Sequence, residues 1–212
     1  MPTQSLVHLN NNLLCAIDCE TTGLSPTYHE IIQIAIVPLD NWLEPRKDVP
    51  VFDLKIRPDY LDRIDLKSME INRVQLESLI ESGVSKERSF ELFEHYFMTK
   101  LKPPEGKKIV PLGYNIAAFD LPFINDWMGN HAFRHYIHGH SRDAMLTACY
   151  LNDVADLHAE QVPFPNLKLK FVAKALDIEV IDGITHDALY DSFLAAQVYK
   201  KMLTHHLMKG LV

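Results

Sequence analysis

Residues 13–17 form an unbroken apolar run that ends on Asp18. A continuous apolar stretch of this length reads as a buried strand. Thr21, Thr22, Gly23, Ser25 and Pro26 then break it. Residues 30–39 (EIIQIAIVPL) predict a second strand rich in Ile and Val. Pro45 and Pro50 mark a connection. Residues 51–57 alternate apolar and polar positions, which predicts a half-exposed third strand. Short links between the three suggest a meander.

The period then changes. Helical spacing predicts short helices over 66–72 and 75–81, and a longer one over 89–101 with Phe90, Phe93 and Phe97 on one face. Pro103 and Pro104 stop it. A strand is expected over 108–114, a helix over 117–128 and a last strand over 135–141. Asp143 is expected to cap a helix running to about residue 151. Two further helices are expected over 167–176 and 187–207. Strands first, then alternating helices and strands, favour an α/β fold with a mixed sheet covered by helices.

Composition narrows the class. The chain has 212 residues, and 47% of them are hydrophobic, which predicts one globular domain over 1–212 rather than a disordered chain. Its formal net charge of −7 argues against coating nucleic acid through a broad basic surface. It is compatible with an enzyme that handles only a strand end. Cys15, Cys19 and Cys149 read as free thiols of a reducing compartment. The absence of a signal-peptide pattern or long apolar run predicts a soluble, cytoplasmic protein without membrane contact. His131, His135, His138 and His140 lack acids or thiols at ligand spacing and read as surface histidines.

Three places carry candidate chemistry. Asp18 and Glu20 end the first strand two residues apart, so both carboxylates fall on one side of the sheet. Two neighbouring acids are compatible with a solvated strand end, but also with a hard divalent cation between them. Asn115 ends the fourth strand, and Asp120 opens the next helix, with Phe119 before it. His186 and Asp191 open the last helix, where Thr185 can serve as the cap. Asp187 lies four residues before Asp191 on the same helix face and is the nearest rival ligand.

The string Asp18-Cys19-Glu20-Thr21-Thr22-Gly23 resembles the first motif of the DEDD 3′→5′ exonucleases. Asn115 to Asp120 resembles their second motif, Asn-x-x-x-Phe-Asp, and His186 to Asp191 their third, His-x-x-x-x-Asp. The His marks the DEDDh (DnaQ-like) branch. The three matches occur in the family's order. The resemblance implies the ribonuclease-H-like fold: a mixed five-stranded sheet, strand 2 antiparallel, with helices on both faces.

It also implies a site. Asp18, Glu20, Asp120 and Asp191 would hold two Mg²⁺ or Mn²⁺ ions, and His186 would act as general base. Thr21, Thr22 and Gly23 would bring backbone N–H groups to the terminal nucleotide, and Leu24 matches a position that wedges against its base. Phe119 would stack on a base or pack in the core. Asn72 falls loosely in a substrate-facing segment, although the family often has His-Gly-Ile where this chain has Asn-Arg-Val. Asn115 reads chiefly as a tie between strand and helix. The implied substrate is the 3′ end of a nucleic acid, single-stranded, with release of nucleoside 5′-monophosphates. A polymerase or a second copy of the chain are further implied partners. A non-catalytic module on the same fold is the alternative from another class.

Overall fold

The computed structural model describes residues 9–72, 74–183 and 186–208. Strands β1 (Leu13–Thr21), β2 (Ile31–Pro38) and β3 (Phe52–Lys55) come first. Helices α1 (Leu66–Asn72), α2 (Leu76–Ser82) and α3 (Lys86–Tyr96) follow, then β4 (Ile109–Gly113), α4 (Asp120–Met128), α5 (Asn130–Tyr136) and β5 (Arg142–Asp143). Helices α6 (Ala144–Leu157), α7 (Leu169–Ala175) and α8 (Ala188–Met208) complete the chain.

The sheet runs β3-β2-β1-β4-β5. β2 is antiparallel to both β1 and β3, whereas β1–β4 and β4–β5 are parallel. This is the mixed sheet expected from the motifs. The alternation along β1 sorts its side chains. Cys15, Ile17 and Cys19 enter one core with Phe93, Phe123, Ile124 and Trp127, from α3 and α4. Leu14 and Ala16 enter a second core with Ala195 and Ala196 of α8. Asp18 and Glu20 continue the second register, so the strand's own pleat turns both carboxylates toward α8.

Three expected elements differ. The last strand is not 135–141: His135 belongs to α5, and β5 has only two residues, Arg142 and Asp143. Ala132, Phe133 and Tyr136 recur at helical spacing and pack on the first core. Beyond them, Ile137 makes only a single bridge to Ile109. Helix α3 starts earlier than expected, because the Ser85 side chain caps it by accepting the Arg88 N–H. It passes into a π turn over Phe97–Leu101. Helix α6 runs to Leu157 rather than 151, there being no Gly or Pro before Pro163 to end it. No helix among the described residues is long and apolar enough to cross a membrane.

Candidate active site

The three expected segments meet at the C-terminal ends of β1 and β4. An open cleft of about 250 Å³ lies there. Asp18, Glu20, Thr21, Leu24, Asn72, Asn115, Phe119, Asp120, His186 and Asp191 all line it. The carboxylates of Asp18, Glu20 and Asp191 have oxygens within 4.8 Å of one another.

Each acid is held differently. Asp18 and Glu20 are fixed by β1, and the register shift between Glu20 and Thr21 turns the strand away immediately beyond them. Asp120 is buried in the first turn of α4, and its Oδ1 accepts the Cys19 N–H at 3.0 Å. The positive end of the helix favours a carboxylate there. Asp191 sits one turn into α8, and its Oδ2 accepts the His186 N–H at 3.1 Å. One carboxylate thus joins the acid cluster and also anchors the exposed histidine. His186 has a left-handed backbone, φ 69°, which swings it out ahead of the helix.

Asp187 serves the helix start. Its Oδ1 accepts the Tyr190 N–H at 3.1 Å, and its backbone oxygen accepts the Asp191 N–H at 2.9 Å. Thr185, expected as the cap, lies outside the described residues. The Asp187 Oδ2 accepts from Gln33 Nε2 at 3.3 Å, while the same nitrogen donates to Asp53 at 2.9 Å. Gln33 is the cross-strand partner of Glu20 and only 2% exposed.

Mutual repulsion and burial leave the acids reluctant to ionise. Burial, then the charges of Asp120, Glu20, Asp191 and Asp187, pushes the Asp18 carboxyl well above the usual range. Burial, then Asp191, Asp120 and Asp187, pushes Glu20 up to about 8. Burial pushes Asp120 up to about 7 against the opposing Cys19 N–H. It pushes Asp191 up to about 6 against the His186 N–H. The ion pairs among the described residues all lie elsewhere. Converging carboxylates with no Lys or Arg paired to them suit a hard divalent cation with oxygen ligands.

The remaining expected residues divide. Leu24 is 75% exposed at the cleft rim. Asn72 Nδ2 donates to the Thr21 carbonyl at 2.9 Å, tying α1 to the end of β1. Asn115 takes a left-handed φ of 59°, and its carbonyl accepts the Phe119 N–H at 3.0 Å. Its own N–H donates to Asp143 Oδ1 at 3.0 Å. Phe119 lines the cleft and also packs against Phe123, with ring centroids 5.2 Å apart. Thr22 and Gly23 do not line the cleft. The Thr22 N–H, expected to face a nucleotide, donates instead to the Glu30 carbonyl at 2.8 Å, and its Oγ1 accepts the Glu30 N–H at 2.9 Å. A Cβ on Gly23 would lie 2.2 Å from the His29 ring, so a side chain there would have to displace that ring.

Sequence reasoning did not single out Ser68, Ile71 and Tyr114, which also line the cleft, nor Gln33. Gln33 had a signal: one amide inside the apolar run EIIQIAIV. Asp143 was expected only as a cap, but the carboxylate that accepts from Met145 and Leu146 of α6 also holds Asn115.

Known proteins share this architecture. The exonuclease (RNase T) family model matches residues 15–199. The PolC-type DNA polymerase III of Ureaplasma parvum is 22% identical over 195 residues, which is 92% of this chain and 12% of the polymerase. Cell-death related nuclease 4 (CRN-4) superposes with a TM-score of 0.64 at 21% identity, covering 92% of this chain and 64% of that one. Escherichia coli exonuclease I, in its zinc-bound complex with single-stranded DNA, gives a TM-score of 0.70 at 20% identity, covering 93% of this chain and 41% of that one. The chain thus spans less than two thirds of these relatives. It belongs to the RNase T exonuclease family and has that family's ribonuclease-H-like fold.

Proposed function

We propose that this protein removes nucleoside 5′-monophosphates from the 3′ end of single-stranded DNA or RNA, with divalent cations and water. One observation carries the proposal: Asp18, Glu20 and Asp191 converge within 4.8 Å at the end of β1, in a cleft that Asp120 and His186 also line. Asp18, Glu20, Asp120 and Asp191 would hold two Mg²⁺ or Mn²⁺ ions, which when bound ease deprotonation of water and offset charge on the scissile phosphate.

The chain's own residues do the rest. A ring nitrogen of His186 takes a proton from the attacking water, which its exposed position ahead of α8 lets it reach. Asp191 holds the His186 backbone while serving the cluster, so base and ligand keep register. Leu24 and Phe119 flank the terminal base, and Asn72 keeps α1 against the cleft. Exonuclease I from Escherichia coli forms complexes with single-stranded DNA and with a dT13 oligonucleotide, which supports a single-stranded substrate here. The PolC-type relative favours a second reading, editing of polymerase errors.

The test digests 5′-labelled single-stranded DNA, single-stranded RNA and mismatched primer duplexes, with Mg²⁺ or EDTA. The expected result is stepwise shortening from the 3′ end that stops with EDTA and with Asp18→Ala. Activity that survives Asp18→Ala, or shortening from the 5′ end, overturns the proposal. Preference for the mismatched primer selects the editing version.

A further inference from the structure

Beside the cleft, planar side chains form a row that the proposed chemistry does not use. It begins at the turn carrying Leu24. The His29 ring fills the space a Gly23 side chain would need, and its Nδ1 accepts the Ser25 N–H at 3.1 Å. Tyr28 meets His29 edge-on, with centroids 5.0 Å apart. The Arg63 guanidinium lies 5.4 Å from the Tyr28 ring centre and 3.8 Å from that of Tyr60. Tyr28 and Tyr60 are still 50% and 48% exposed.

The row is held in place. Both oxygens of Glu30 are occupied, accepting the N–H groups of Asp59 at 3.2 Å and Tyr60 at 2.9 Å. The Asp65 N–H donates to the Thr22 carbonyl at 2.8 Å, which fixes this loop to the end of β1. Side chains ordered before binding lose little freedom on binding.

We propose that Tyr28, Arg63 and Tyr60 form a stacking platform for the bases just upstream of the 3′ end in the cleft. The inference deepens the proposed function and rests on it for the direction of the strand. Aromatic rings and guanidinium planes stack on any base, so the platform would be tolerant of sequence. Charge argues for bases rather than phosphates: Asp59, Asp62 and Asp65 share the loop with only Arg57 and Arg63. A duplex hides its base faces, so the platform selects single strands.

The experiment uses the full chain and oligonucleotides with 2-aminopurine at the second to fifth positions from the 3′ end, in Ca²⁺ and in EDTA. Binding should quench the fluorescence. Tyr28→Ala and Tyr60→Ala should each raise Kd about tenfold and lose the quench, while Tyr60→Phe keeps both. The nitrophenyl ester of thymidine 5′-monophosphate carries no upstream base. Both alanine variants should hydrolyse it with wild-type kcat/KM, which also reports an intact fold. No quench with the wild type, or Kd within about twofold of wild type in both alanine variants, overturns the platform. A wild type that cleaves neither ester nor oligonucleotide with Mg²⁺ or Mn²⁺ overturns the proposed function instead, and the quenching still decides the platform.

Discussion

Gln33 Nε2 donates to Asp187 at 3.3 Å and to Asp53 at 2.9 Å, so one buried amide ties the start of α8 to the neighbouring strands. Gln33→Leu removes the donor and leaves both acids beside a buried apolar group. It should cost about 1–3 kcal/mol, read as a lower urea midpoint with an unchanged slope. A midpoint equal to wild type would show that water replaces the amide at no cost.

The acid cluster makes stability depend on pH. Glu20, Asp120 and Asp191 hold their protons more tightly folded than unfolded, with folded values of about 8, about 7 and about 6. Their contribution is therefore fully present below about pH 4 and is lost as the pH rises through about 6 to 8. In EDTA, Tm should be lower at about pH 8.5 than at about pH 5.5. Mg²⁺ or Mn²⁺ should raise Tm more at the higher pH. A cation effect that is the same at both pH values would show that the cluster is not where the ion binds.

His186→Ala should lower kcat by roughly 10²- to 10⁴-fold. With saturating cation the ligands stay ionised, so the remaining rise of rate near neutral pH reports the base. That rise should vanish in the variant. An unchanged pH profile would show that another group takes the proton.

Asp143 should matter at two places. It caps α6 through Met145 and Leu146 and holds the N–H of Asn115. Asp143→Ala should cost about 1–2 kcal/mol from the cap alone and should raise KM, because the Asn115–Asp120 turn loosens. Asp143→Asn keeps an acceptor and should recover most of both, measured by urea unfolding and by oligonucleotide kinetics.

The cleft end of the sheet was legible because its rules are local. The pleat of β1 puts Asp18 and Glu20 on one face, and Asp191, five positions after His186, falls in the first turn of α8. What remained hidden depended on partners distant in sequence. The Thr22 N–H looked available until its hairpin with Glu30 formed. A strand is expected over 135–141, but Tyr136 belongs to the helical face formed by Ala132 and Phe133. Gln33 stood out in its apolar run, yet nothing local named Asp53 and Asp187 as its acceptors. The row from Tyr28 to Tyr60 joins two loops 32 positions apart, which no periodicity reports.

The raised carboxyls also change the meaning of the formal charge of −7. That count takes every acid as ionised, whereas burial and neighbouring charge push the Asp18 carboxyl well above the usual range and Glu20 up to about 8, which favours retained protons in the cation-free protein. Loading a divalent cation is then an exchange reaction in which the ion enters and protons leave. The protein's net charge should shift by less than the charge of the ion taken up. An unbuffered solution should acidify as the site fills.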